Sequence, residues 1–386
     1  MVHPITDRIH CMADGIHRMT DKPLPTANGQ HCMTDGLFDD LRDIDEARGI
    51  TIREQTTLEK LLEAETKLIH HETQGWRKNV LVEFGRFRGG YEFFYERLTQ
   101  LLGNIKFTEI DLKEFILAKA NTDYQEDYSA ALGLFTGCLL EILTKRNTEE
   151  GKRTIVYING QGNKFDYLFS HARAVDTLVV DNFRGDNICY NISNSLDKRA
   201  KTIAVLNISG DRTCAGVNGH IWNLFIIDCY GDYIASRISE RSENAGIRNC
   251  YIINANGNYI ANKLAAEGKI NYVFIVNENG NVNLGDVTAR NGSINTLYVV
   301  SIGGIINISS DDSLASMMDM FEKVDITKIN AKELNQYDGS VHIDQAVLKK
   351  YQRWMQETKT GDAINTLKSL QGKSYTDAIK VLELHF

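Results

Sequence analysis

Five aspartates, Asp181, Asp186, Asp211, Asp228 and Asp232, recur through the middle of the chain. Carboxylates converging on one cleft supply the acid and base of glycoside cleavage. Nearer the N-terminus, His10-Cys11, His17 and His31-Cys32 combine imidazole and thiol ligands that suit a soft divalent metal. Gly85-Arg-Phe-Arg-Gly-Gly90 stands between an apolar run and a helical pattern, the order of a phosphate-binding turn. It matches neither a Walker A loop nor the dinucleotide fingerprint, so a plain tight turn is expected. Finally, His220 and Trp222 lie between two charged stretches, Asn194–Arg199 and Ser239–Asn244. Lys198, Arg199, Glu240 and Arg241 beside an aromatic residue suit a grip on a polar partner.

What positions these residues is a repeat. An apolar run, a polar residue, two further residues and Gly recur as YINGQG, VLNISG, IIDCYG, IINANG and IVNENG, with VVDNFRG one residue longer and VVSIGG ending in Ser. The polar position falls at Asn159, Asp181, Asn207, Asp228, Asn254, Asn277 and Ser301. A period of about 24 residues rich in β-branched types suits one turn of a β-helix. The expected fold is therefore a right-handed parallel β-solenoid of about seven coils over residues 151–310. Each strand pairs with the one above at about 4.8 Å per step. The polar residues should form one hydrogen-bonded column, which is a structural reading of the aspartates before it is a catalytic one. Ile192, Val217, Ile238, Leu264 and Val287 follow the glycines in one phase and are expected in the core. Cys189 and Cys214 share a phase with Ala235 and Ala261, a column of small residues.

The insertions share a phase as well. The two longest gaps begin at Asp181 and Asp228, so both charged stretches should bulge from one side of the stack, with His220 and Trp222 between them. Insertions on one face of a solenoid commonly mark its binding face.

Residues 1–36 hold a heptad of His, Thr, Asp and Gly with no apolar seam, read as a low-complexity tail expected to be disordered. Residues 37–150 read as mainly helical, with a strand at Asn79–Phe84 and helices at Leu58–His71, Tyr91–Leu102, Thr108–Ala120 and Asp127–Lys145. The last of these is apolar enough to cover the open end of a solenoid. Residues 311–386 return to a helical pattern at Asp312–Lys323, Ile343–Thr358, Asp362–Leu370 and Tyr375–Leu384. These flanks are expected to cap the ends of the stack, which would otherwise expose core and unpaired edges.

A formal charge of −8 argues against general nucleic-acid binding. No apolar run reaches the roughly 18–20 residues of a membrane span. The seven cysteines are scattered, without a C-x-x-C pair, which disfavours a disulfide framework or compact zinc module. A cytoplasmic protein without a cofactor is the expectation.

The inferred architecture resembles that of pectate lyases and polygalacturonases, which implies converging carboxylates with calcium or an Arg base. Their Gly-His-Gly motif is missing, since His220 sits in Gly-His-Ile. The Gly-Asp-Tyr-Ile-Ala and Gly-Asn-Tyr-Ile-Ala phrases resemble the glycine-rich β-helical domains of glutamate synthase and formylmethanofuran dehydrogenase. That resemblance covers part of the solenoid and carries neither function nor site residues. The expected function is a non-enzymatic scaffold for protein interaction or self-assembly. The alternative is a carbohydrate-active lyase or hydrolase with an acidic site on the solenoid face.

Overall fold

The repeated apolar runs become strands that stack in parallel, each exactly one coil after the last in chain order. The computed structural model describes residues 54–71, 88–193, 199–240, 246–277, 282–283, 293–301, 306–307, 323–326, 353, 356 and 358–386. The strands are β1 (Ile155–Asn159), β2 (Thr177–Asp181), β3 (Arg199–Leu206), β4 (His220–Ile227), β5 (Gly246–Ile253), β6 (Lys269–Asn277), β7 (Val282–Asn283), β8 (Ser293–Ser301), β9 (Ile306–Asn307) and β10 (Lys323–Ile326). One parallel eight-stranded sheet has the order β1-β2-β3-β4-β5-β6-β8-β10, while β7 and β9 form a second small pair. The protein is a β-solenoid, and the strands β1 to β6 and β8 are those of the seven repeated phrases. The sheet also runs past residue 310, because Lys323–Ile326 pairs with β8.

Within each strand, alternate residues face opposite ways. Leu224 and Ile226 point into the solenoid with Ile203, Val205, Cys250 and Ile252. Phe225 and Ile227 point outward, with Ala204, Leu206, Tyr251 and Ile253. They are buried too, because a C-terminal helical hairpin lies over them. Its helices, later α5 (Lys359–Lys368) and α6 (Tyr375–His385), contribute Ile364, Leu367, Ala378 and Leu382. Strands buried on both faces read as continuous apolar runs, as these do. The expectation that the C-terminal helices cap an end is corrected here: this pair covers the flank of the sheet. The expected helix Asp312–Lys323 lies outside the described residues except for Lys323, which opens strand β10, and most of Ile343–Thr358 lies outside them too.

The opposite wall of each coil is built without strands. In the fourth coil Tyr233, Ala235, Arg237 and Ser239 have φ of 59°, 56°, 57° and 56°. Their N–H groups still bond between coils, alternately onward and back: Tyr233 to Asn258 O at 2.8 Å, Ala235 to Thr213 O at 3.0 Å, Arg237 to Asn262 O at 2.7 Å, Ser239 to Val217 O at 2.7 Å. The ladder satisfies backbone groups as a β-sheet would, with every second residue left-handed. Ile192, Val217, Ile238 and Leu264 stand in its core row, all 0% exposed, as their phase predicts. Val287 lies outside the described residues.

Helices α1 (Thr57–Thr66), α2 (Arg88–Leu102), α3 (Glu109–Lys119) and α4 (Glu126–Glu149) precede the solenoid, with a π-helical turn Lys67–His71 after α1. Thr56 and Thr108 close capping boxes with Glu59 and Asp111, which fixes where α1 and α3 begin. Gly89 and Gly90 lie inside α2, so the turn expected there is helix instead. Residues 85–87 and the strand expected at Asn79–Phe84 are outside the described residues. Helix α4 is the cap that its apolar sequence predicts. Cβ atoms at Gly133 and Gly137 would stand 2.3 and 2.4 Å from the carbonyl oxygens of Tyr167 and Ser170, so two glycines one turn apart bring the helix against the first coil. Thr136 Oγ1 accepts the N–H of Phe169 at 3.1 Å and Glu141 Oε2 that of Arg173 at 3.1 Å. In later coils the matching N–H of Cys189 and Cys214 bonds a preceding coil, so the helix supplies acceptors where no coil precedes.

Candidate functional site

The five candidate aspartates separate into two rows. Asp181 ends β2 and Asp228 follows β4 directly, both among the polar column. Asp181 accepts from Asn159 Nδ2 at 2.7 Å, Asn207 Nδ2 at 2.8 Å and Tyr157 Oη at 3.2 Å. Asp228 accepts from Asn254 Nδ2 at 2.9 Å and pairs with Lys368 of α5 at 2.9 Å. Over the five members whose side chains are described, Asn159, Asp181, Asn207, Asp228 and Asn254, the expected column exists as two hydrogen-bonded runs, with one slip. By backbone register Asp181 stands opposite Leu206, and Asn182 holds the left-handed place that Asn207, Asp228 and Asn254 hold elsewhere.

The second row is Asp166, Asp186, Asp211, Asp232 and Asn258. The Oδ1 of each aspartate accepts the backbone N–H of the next residue of the row, at 2.9, 2.8, 2.8 and 2.8 Å. One corner N–H per coil is satisfied this way, which explains the recurrence of Gly-Asp or Gly-Asn there. Among the described residues, no group of three or more His, Cys, Asp and Glu side chains is placed to hold a metal ion.

Burial pushes the Asp181 carboxyl above the usual carboxylate range, against the hydrogen bonds from Asn207, Tyr157 and Asn159. A carboxyl raised on folding takes up its proton more readily in the folded chain than in the unfolded one. Its contribution to stability is present below the unfolded value of about 3.9 and is lost as pH rises through the folded one. Asp181→Asn, which carries no such charge, is expected to gain stability relative to the parent between about pH 3 and about pH 7. Denaturant unfolding of both proteins across that range checks this. A constant difference would show that the carboxyl is not desolvated.

Cys189 and Cys214 do occupy one row with Ala235 and Ala261, each N–H bonding the preceding coil. They are buried free thiols, as are Cys138, Cys229 and Cys250. Burial pushes Cys229 and Cys250 up to about 12, so these thiols stay protonated and unreactive at neutral pH.

Of the predicted partner-binding residues, Arg199, His220 and Trp222 lie at the start of the strands. Arg199 stands opposite His220 in register. Trp222 stands 43% exposed, between Lys201 on one side and Arg248 on the other, each one coil away. Asn271 follows Arg248 in the same row. His220, Ile221, Trp222, Gly246, Ile247, Arg248 and Asn271 line a shallow cavity of about 270 Å³. Lys269 stands opposite Gly246 in register and is exposed. Among the described residues, Lys201, Arg248 and Lys269 have no ion-pair partner. Glu240 is 9% exposed and reaches Arg237 at 3.9 Å, so it is held in the wall below the corner.

Lys198 and Arg241 lie outside the described residues, as do His10, Cys11, His17, His31 and Cys32. Lys201, Gly246, Arg248, Lys269 and Asn271 escaped sequence reasoning, which looked for a partner's grip in the longer loops. Their signal was the strand register, which places the residues beside Trp222 at about 24-residue intervals. No helix among the described residues is long and apolar enough to cross a membrane. No family model, curated protein or solved structure matches the chain.

Proposed function

We propose that the protein is a non-enzymatic β-helix scaffold that mediates protein interaction, and that the partner docks on the corner around Trp222. The observation that carries this reading is an exposed tryptophan flanked by cations that have no ion-pair partner among the described residues, on a parallel strand ladder. Exposed aromatic and arginine side chains are the groups that most often anchor protein interfaces. A rigid backbone lowers the ordering cost of binding. The carbohydrate-active alternative has less support, because the candidate carboxylates are divided between two rows and already accept structural hydrogen bonds. A cytoplasmic setting accords with five buried free thiols.

Photo-crosslinking in the source cells tests the reading. Benzoylphenylalanine placed at Lys201 should give a discrete cross-link, to another protein or to a second copy of this chain. The same group at Ile110, exposed on α3 at 52%, should not. Trp222→Ala should abolish the Lys201 cross-link without lowering the melting temperature. Equal cross-linking from both positions, or turnover of a polysaccharide by the purified protein, would overturn the scaffold.

A further inference from the structure

Gly246 differs from the glycines that the fold requires. It begins β5 without a left-handed φ, and among the described residues a Cβ built on it would meet only His220 Nδ1, at 3.7 Å, an ordinary contact. The backbone therefore accepts a larger residue there. Glycine inside a strand weakens it and leaves room where another chain or ligand approaches closely. Here it leaves a notch in the row His220, Gly246, Lys269, on the wall of the cavity that Trp222 and Arg248 also line.

Arg248 and Lys269 flank this notch, and Lys201 stands in the coil before Trp222. They stand on a chain whose formal charge is −8, so the corner is a local inversion of the overall sign. An anionic partner is favoured at this place and repelled elsewhere, which serves specificity as much as affinity. Lys201 and Arg248 are two coils apart, about 10 Å along the axis. An extended peptide, rising about 3.3 Å per residue, crosses that distance in about three residues. A polynucleotide fits less well. It needs repeated stacking platforms and a long cationic track, whereas this corner has one tryptophan, and the next corner of the coil carries the row of aspartates.

We infer that this corner binds an acidic peptide segment of the partner, laid along the solenoid axis, with its carboxylates on Lys201 and Arg248 and an apolar side chain seated over Gly246 against Trp222. The inference rests on the docking role proposed above and names the chemistry of the partner.

The test uses the full chain and a fluorescein-labelled peptide of repeated Glu-Glu-Phe triplets, with repeated Gln-Gln-Phe as its neutral twin. Fluorescence anisotropy at low salt should show the acidic peptide binding at least tenfold more tightly, with the advantage shrinking as salt screens the charges. Arg248→Glu, Trp222→Ala and Gly246→Leu should each weaken it at least tenfold. Gly246→Leu fills the notch without touching a charge and should leave the melting temperature unchanged. Equal affinity for the two peptides, or unchanged binding by Gly246→Leu, overturns the inference. Tighter binding of oligothymidylate or oligogalacturonate than of the acidic peptide overturns it as well. If the peptides bind alike while Gly246→Leu still abolishes the cellular cross-link from Lys201, the acidic class is wrong and the docking face stands. Loss of both results would bring down the scaffold reading too.

Discussion

Replacing Gly231 with alanine is expected to destabilise the folded body by about 3–5 kcal/mol, a large effect for one methyl group. Two causes act together. The backbone of Gly231 has φ of 145°, which L side chains rarely adopt. A Cβ there would also stand 2.2 Å from the carbonyl oxygen of Gly210 in the preceding coil. Backbone strain of this kind costs about 1–3 kcal/mol, and forcing an extra carbon into a packed position costs about 1–3 more. Relief by local movement is blocked, because Gly210 and Gly257 are in the same column. Cβ atoms on them would stand 1.9 Å from the carbonyl oxygens of Gly185 and Gly231. Gly151→Ala is the control. Gly151 has φ of 71° but nothing within 4 Å of the added carbon, so only the left-handed cost of about 1–2 kcal/mol applies. Urea unfolding of the two variants decides the matter. A smaller loss for Gly231→Ala than for Gly151→Ala would mean that the coils do not approach this closely.

That glycine column was legible because the same close approach recurs once per coil. The same holds for the core row Ile192, Val217, Ile238 and Leu264, and for Cys189 above Cys214. The apolar stretch from Ala130 to Leu143 could also be recognised as the cap, since a helix buried nearly all round needs something broad to lie on. Other features left no such trace. The left-handed wall follows no residue type: Tyr233, Ala235, Arg237 and Ser239 share a φ and little chemistry. Their conformation is imposed by bonding to the coils on either side, which no single coil encodes. Asp181 looked like the partner of Asn207 in the repeat, and its side chain is. Its backbone place, however, belongs to Asn182, because one extra residue was absorbed at the corner. The residues beside Trp222 were hidden for a related reason. Lys201, Arg248 and Asn271 are ordinary polar residues in their own coils, and only register brings them into one row.

The outward face of the sheet leads to the other large effect. Leu382→Asp is expected to detach the C-terminal hairpin and to turn the protein into a self-associating one. Leu382 is 0% exposed and packs with Ile364, Leu367 and Ala378 over a strip of the sheet that includes Phe225, Ile227, Tyr251 and Ile253. Burying a leucine side chain stabilises by about 1.5–3 kcal/mol, and an aspartate in its place must leave the interface or carry a desolvated charge into it. The polar and ring ties that remain among the described residues are few: Lys368 to Asp228, Tyr157 Oη to the carbonyl oxygen of Leu370, Tyr251 Oη with Thr360 Oγ1, Lys113 over the Tyr375 ring and Phe225 against Phe386. A single pair of this kind contributes about 1 kcal/mol, too little to hold α6 (Tyr375–His385) down once its buried face is charged. The solenoid itself should survive, since its interior residues and α4 are untouched. Circular dichroism should therefore keep its β signal while a hydrophobic dye binds and light scattering reports larger species. The bared strip is long, flat and apolar, the kind of surface that associates. Full unfolding of Leu382→Asp would instead make the hairpin an integral part of the solenoid's stability, and a monomeric variant that binds no dye would show that Leu382 does not seal the sheet.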